Sequence, residues 1–70
     1  MNLASKGLRV WRERLGLTQE DIEKKTGVKQ PTLSKYETNP PKRGIPSDAL
    51  ENIVINGFGL TMGEFYNGWK

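Results

Sequence analysis

The chain has 70 residues, 34% of them hydrophobic, with no cysteine and no histidine. That length holds one small domain near the lower limit of what a single core stabilises. The composition excludes disulfides, thiolate metal centres and the commonest general base. The net charge is +3 with a pI near 9.5.

The eight acidic residues are scattered among charged neighbours rather than paired in an apolar setting. The chain is therefore not expected to be an enzyme, and no metal, cofactor or small-molecule ligand is expected. No apolar run approaches the roughly 18 residues that cross a membrane, and the N-terminus has no signal-peptide pattern, so a cytoplasmic location is expected.

Leu8, Trp11 and Leu15 share one helical face, with Ala4 a turn earlier, which predicts a first helix over about 4–15. Gly16 follows as a helix terminator. Thr18 and Asp21 have the spacing of a weaker capping box, opening a second helix over about 18–26 that offers only Ile22 as a strong apolar anchor. Too short to be stable alone, this helix must be held by its neighbours.

Gly27 breaks the pattern and Val28 returns to the core, after which Lys29-Gln30-Pro31 opens a third helix running to Glu37 or Thr38. Two short helices joined by a Gly-containing turn have the composition of a helix-turn-helix unit, here about 18–38. TNPPKRG, residues 38–44, reads as a loop. Leu50, Ile53 and Val54 predict a fourth helix, with Pro46 in its first turn and NGFG, residues 56–59, ending it. Thr61 and Glu64 form a full capping box ahead of Phe65 and Tyr66, predicting a fifth helix of one to two turns. The expectation is an all-α domain of five helices spanning residues 1–70. Phe58, Leu60, Phe65, Tyr66 and Trp69 form a C-terminal cluster that covers the core, any exposed excess serving a dimer.

Charge is distributed unevenly. Residues 1–23 balance to zero, residues 24–43 carry six cations against Glu37 alone for +5, and residues 44–70 sum to −2. A local basic surface coinciding with the third helix points to a polyanionic partner.

The stretch LRVWRERLGLTQEDIEKKTGVKQPTLSKYE resembles the helix-turn-helix DNA-binding domains of phage repressors and Cro-type proteins, the lambda-repressor-like family. LGLTQEDI followed by TGVKQPTLSKYE, with Val28, Leu33 and Tyr36 set after Gly27, carries the likeness most specifically. The resemblance implies a sequence-specific regulator, a bacterial or phage repressor that binds double-stranded operator DNA as a homodimer. Gln30 matches a glutamine that reads an adenine edge, and Gln19 matches one that binds a phosphate and braces it. A carboxamide suits adenine because it offers both a donor and an acceptor to N7 and N6. Pro31, Thr32 and Lys35 complete the expected base-contacting set. Lys29, Ser34, Thr38, Asn39, Lys42 and Arg43 join Gln19 as expected phosphate contacts. Arg12 and Glu37 match an ion pair linking the first helix to the end of the third.

Three positions depart from the family pattern. Glu23 stands where a small residue is usual, and its stem is expected to slide outward toward a cation of the third helix. Lys29 replaces a capping Ser or Thr, and Pro31 biases Gln30 away from helical ψ, predicting an altered projection angle. A rival reading from another class is a protein-interaction module of the same fold, such as a toxin-neutralising antitoxin. That reading calls for a dedicated toxin-binding extension, which the 70 residues ending at Trp69-Lys70 are not expected to hold.

Overall fold

The apolar spacing resolves into five helices in the computed structural model, which describes the backbone of residues 3–68 and the side chains of residues 7–67. They are α1 (Leu3–Arg14), α2 (Gln19–Thr26), α3 (Gln30–Thr38), α4 (Ser47–Glu51) and α5 (Met62–Gly68). Helix α4 runs without a break into a π-helical segment, Asn52–Phe58. No strand occurs among the described residues.

Leu8, Ile22, Leu33, Leu50, Ile53, Val54, Phe58 and Phe65 form one buried core, drawing at least one residue from every helix. Trp11, Leu17, Val28, Tyr36, Ile45, Leu60 and Met62 pack around it, half-buried. Trp11 also donates its indole N–H to the Phe65 carbonyl at 2.9 Å, tying α1 to α5. Phe65 in turn meets Tyr66 edge-on, with ring centroids 5.2 Å apart. Tyr66 remains exposed, while the expected packing of Ala4 and Trp69 lies outside the described side chains.

Leu15 departs from its expected place. The first helix stops at Arg14, so Leu15 falls in the turn and stands 42% exposed rather than continuing the Leu8–Trp11 face.

The fourth helix also differs. Pro46 is its N-cap rather than a first-turn residue, and the helix ends within the NGFG stretch as expected but only at its last residue, with Asn56, Gly57 and Phe58 still inside the helical segment. Termination waits for Gly59, whose φ of 73° is left-handed. The looser π winding puts Ile53, Val54, Gly57 and Phe58 in the interior together. Gly57 packs closely on α2: a Cβ there would stand 3.1 Å from Thr26 Cγ2 and 3.3 Å from Ile22 Cδ1, so those side chains would have to shift to admit it.

Ile22 is the sole buried residue of α2 and is fully enclosed. Ile22→Ala should therefore cost about 2–5 kcal/mol, the range for deleting such a buried side chain. Urea unfolding at constant slope tests this, and a cost below about 1 kcal/mol would mean that α2 is not anchored through Ile22.

Candidate nucleic-acid interface

Helix α2 begins with a complete capping box. Thr18 Oγ1 accepts from the Asp21 N–H at 3.0 Å, and Asp21 Oδ2 accepts from the Thr18 N–H at 2.9 Å. The backbone hydrogen bond from Thr18, then the one from its side chain, hold the Asp21 carboxyl below its ordinary pKa, with Lys24 and Lys25 acting in the same direction.

At the other end, Gly27 takes a φ of 80° and returns its N–H to the Glu23 carbonyl at 2.8 Å. Thr26 braces the turn as well. Its hydroxyl donates to the Ile22 carbonyl at 2.7 Å and accepts from the Val28 N–H at 3.1 Å. The Asn52 amide then donates to the Thr26 carbonyl at 2.9 Å, satisfying a terminal acceptor of α2 from across the fold.

Helix α3 starts at Gln30, with Lys29 as N-cap and Pro31 in the first turn. Gln30 is the first residue of the helix even with Pro31 directly after it. Lys29 makes no side-chain capping bond. The missing acceptor comes from α2 instead: Glu23 Oε1 accepts the Gln30 backbone N–H at 3.0 Å, and Glu23 Oε2 lies 3.6 Å from Lys29 Nζ. The outward course expected of the Glu23 stem is thus realised, and the cation it meets is Lys29.

Leu33 is the buried residue of α3. Gln30, Pro31, Thr32 and Lys35 are all exposed, so the helix presents an amide, a hydroxyl and an ammonium group to solvent across its first turns. Ser34 is half-buried, and Thr38 already donates its hydroxyl proton to the Ser34 carbonyl at 2.8 Å. Asn39, Lys42 and Arg43 stand exposed in the following loop. Among the described residues, Lys35, Lys42 and Arg43 have no carboxylate partner.

Arg12 and Glu37 form the ion pair that the sequence led us to expect. Arg12 Nε and Nη2 donate to Glu37 Oε2 and Oε1 at 2.8 and 3.0 Å, and Nη1 donates to the Leu17 carbonyl at 2.9 Å. The Gln19 amide donates to the same Glu37 Oε1 at 3.4 Å. Gln19, half-buried, therefore braces the end of α3 through Glu37. The Glu37 side chain is 2% exposed. The hydrogen bond to Glu37 raises the pKa of Arg12, against the opposing effect of burial.

Sequence reading missed two devices, the Glu23 cap and the Asn52 bridge. The first had a signal in the unexpected Glu23 beside a non-capping Lys29. The second had none, because the partners are 26 residues apart.

Removing Arg12 alone strands a nearly buried carboxylate. Arg12→Ala should cost about 3–5 kcal/mol, whereas Arg12→Met with Glu37→Leu should recover most of it. Chemical unfolding of both variants decides, and an equal cost in the two would assign the loss to packing. The lowered Asp21 pKa sets a second expectation. Its stabilisation is complete above the ordinary carboxylate value and disappears as pH falls through the lower folded-state value. Asp21→Asn should reduce Tm at neutral pH, with the gap to wild type closing on acidification; a gap that persists in acid would exclude the charge as its cause.

A family model described as helix-turn-helix matches residues 8–65. Among solved structures, the wild-type restriction-modification controller protein C.Esp1396I is similar at a TM-score of 0.79 and 26% identity, covering 94% of this chain and 82% of its own. No curated protein matches significantly. With 58 of 70 residues inside the match, the chain belongs to the helix-turn-helix family and is a DNA-binding regulator of transcription.

Proposed function

We propose that this regulator is a repressor that occupies a palindromic operator as a homodimer, with α3 in the major groove. The observation that carries the reading is the exposed polar face of α3, from Gln30 to Lys35, within a segment of net charge +5. In this reading Gln30, Pro31, Thr32 and Lys35 meet base edges. Gln19, Lys29, Ser34, Thr38, Asn39, Lys42 and Arg43 fix the register on phosphates, which position the protein without reading sequence.

Homodimerisation is supported by the exposed apolar side chains Ile55 and Tyr66, 51% and 44% accessible, on a domain small enough to gain from a second copy. Two recognition helices then meet half-sites about 34 Å apart. The similarity to a restriction-modification controller protein supports regulation as the purpose of binding.

Selection of random duplex DNA on the purified protein, at near-physiological salt, tests the reading. A palindromic consensus is expected; weak, salt-sensitive binding with no enriched sequence would reduce the basic face to a non-specific patch. On the selected operator, Gln30→Ala should cost about 1–3 kcal/mol concentrated at one base pair. Equal losses on operator and random DNA would remove Gln30 from the base readers. Lys42→Ala and Arg43→Ala should weaken binding to every sequence, each flattening the salt dependence by about one unit as one phosphate goes without its cation. An unchanged slope would place the residue outside the interface.

A further inference from the structure

The carboxylate of Glu23 has one oxygen on the Gln30 N–H and the other facing the Lys29 ammonium group. It thus touches both residues at the start of α3, which the proposed function assigns to a base edge and a phosphate. The ion pair is long, and Lys29 is 76% exposed, so its direct worth to stability is small. Its consequence lies in the local charge at the start of α3 rather than in the stability of the fold. The first turn of α3 combines the positive end of a helix dipole with a lysine, a pairing that draws any phosphate whatever the sequence. Glu23 opposes that attraction with a full negative charge and engages the leading amide.

The same interaction has a geometric effect. Gln30 begins the helix, where chain ends fray and side-chain direction follows the local backbone. With no acceptor on Lys29, the Glu23 bond ties the leading amide of α3 to the last turns of α2. Because α2 is held by Ile22, Asn52 and its capping box, the direction in which Gln30 leaves the backbone is referred to the rigid body of the domain.

We propose that Glu23 is a specificity-determining positioning residue: its carboxylate suppresses sequence-independent phosphate attraction at the start of α3 and aims Gln30. This rests on the DNA-binding reading above and assigns a role within it. Glu23 need not touch DNA; it acts through Lys29 and Gln30.

Four proteins test the assignment: wild type, Glu23→Gln, Glu23→Ala, and Glu23→Ala combined with Lys29→Ser. Each is titrated on the selected operator, on operators altered at the Gln30 base pair, and on random duplex, over a salt series. Glu23→Gln keeps an oxygen acceptor for Gln30 and loses the charge. It should bind random duplex more tightly, with a salt slope there steeper by about one unit, because Lys29, which in wild type leaves Glu23 for a phosphate only on the operator, is then free to meet a phosphate on any sequence; its base preference should be kept. Glu23→Ala should show the same steeper slope and also lose roughly tenfold in discrimination at the Gln30 pair. Adding Lys29→Ser supplies a local hydroxyl cap and should restore that discrimination while the slope falls back. Folded variants with wild-type slope and discrimination overturn the proposal. So does a loss that is uniform across sequences and follows Tm, which is the signature of a purely structural cap. Absence of any sequence preference in wild type would remove the DNA reading itself, a failure visible before any substitution is compared.

Discussion

The Arg12–Glu37 pair is the interaction on which the placement of α3 depends. A carboxylate 2% exposed has lost nearly all its water, and in isolation that desolvation costs several kcal/mol. Here the loss is offset by two parallel guanidinium hydrogen bonds and a third donor from Gln19. The remaining guanidinium nitrogen binds the Leu17 carbonyl, so one charged cluster joins α1, the following loop, the start of α2 and the end of α3. Bidentate geometry adds directional restraint to attraction, which is why an arginine at this position is not interchangeable with lysine.

Helix α3 is consequently fixed at three points: Glu37 near its C-terminus, Leu33 in the core and the Gln30 amide at its beginning. Each uses different chemistry, and none consumes the exposed side of the helix. Helix α2 supplies the reference for two of these points although it spans only eight residues. Too short to be stable alone, it borrows order from Ile22 in the core, the Thr18–Asp21 box and the Asn52 amide at its far end. The π winding of 52–58 belongs to the same arrangement. Gly57 packs on Ile22 and Thr26 in the same segment from which the Asn52 amide reaches the Thr26 carbonyl.

Charge divides along the same lines. Three of the four acidic groups of the helix-turn-helix are engaged by the fold, Glu37 with Arg12, Asp21 in its cap and Glu23 at the start of α3, while Glu20 faces Lys24 at the surface. Lys35, Lys42 and Arg43 are left facing solvent. A modest net charge of +3 thereby becomes a local basic surface, because the nearby negative charges are neutralised or held in place.

Much of this was legible in the sequence. The five helices, Ile22 as the anchor of α2, both capping boxes and the Arg12–Glu37 partnership follow from short-range pattern or family resemblance. Caps and amphipathic faces depend on neighbours within a turn or two, so linear spacing encodes them. The exposure of Leu15 did not follow because the first helix ends one residue before it; the continuation of the fourth helix through Asn56–Phe58 and the Asn52 bridge did not follow because they depend on packing between distant segments. Asn-Gly reads as a turn in isolation, yet here Gly57 packs on Ile22 and Thr26 and the helix loosens its winding to continue past it. Glu23 falls between these cases. Its unusual presence and outward course were legible, but its partner was not: only the crossing of α2 and α3 decides that a carboxylate seven residues away caps the helix that Lys29 leaves uncapped.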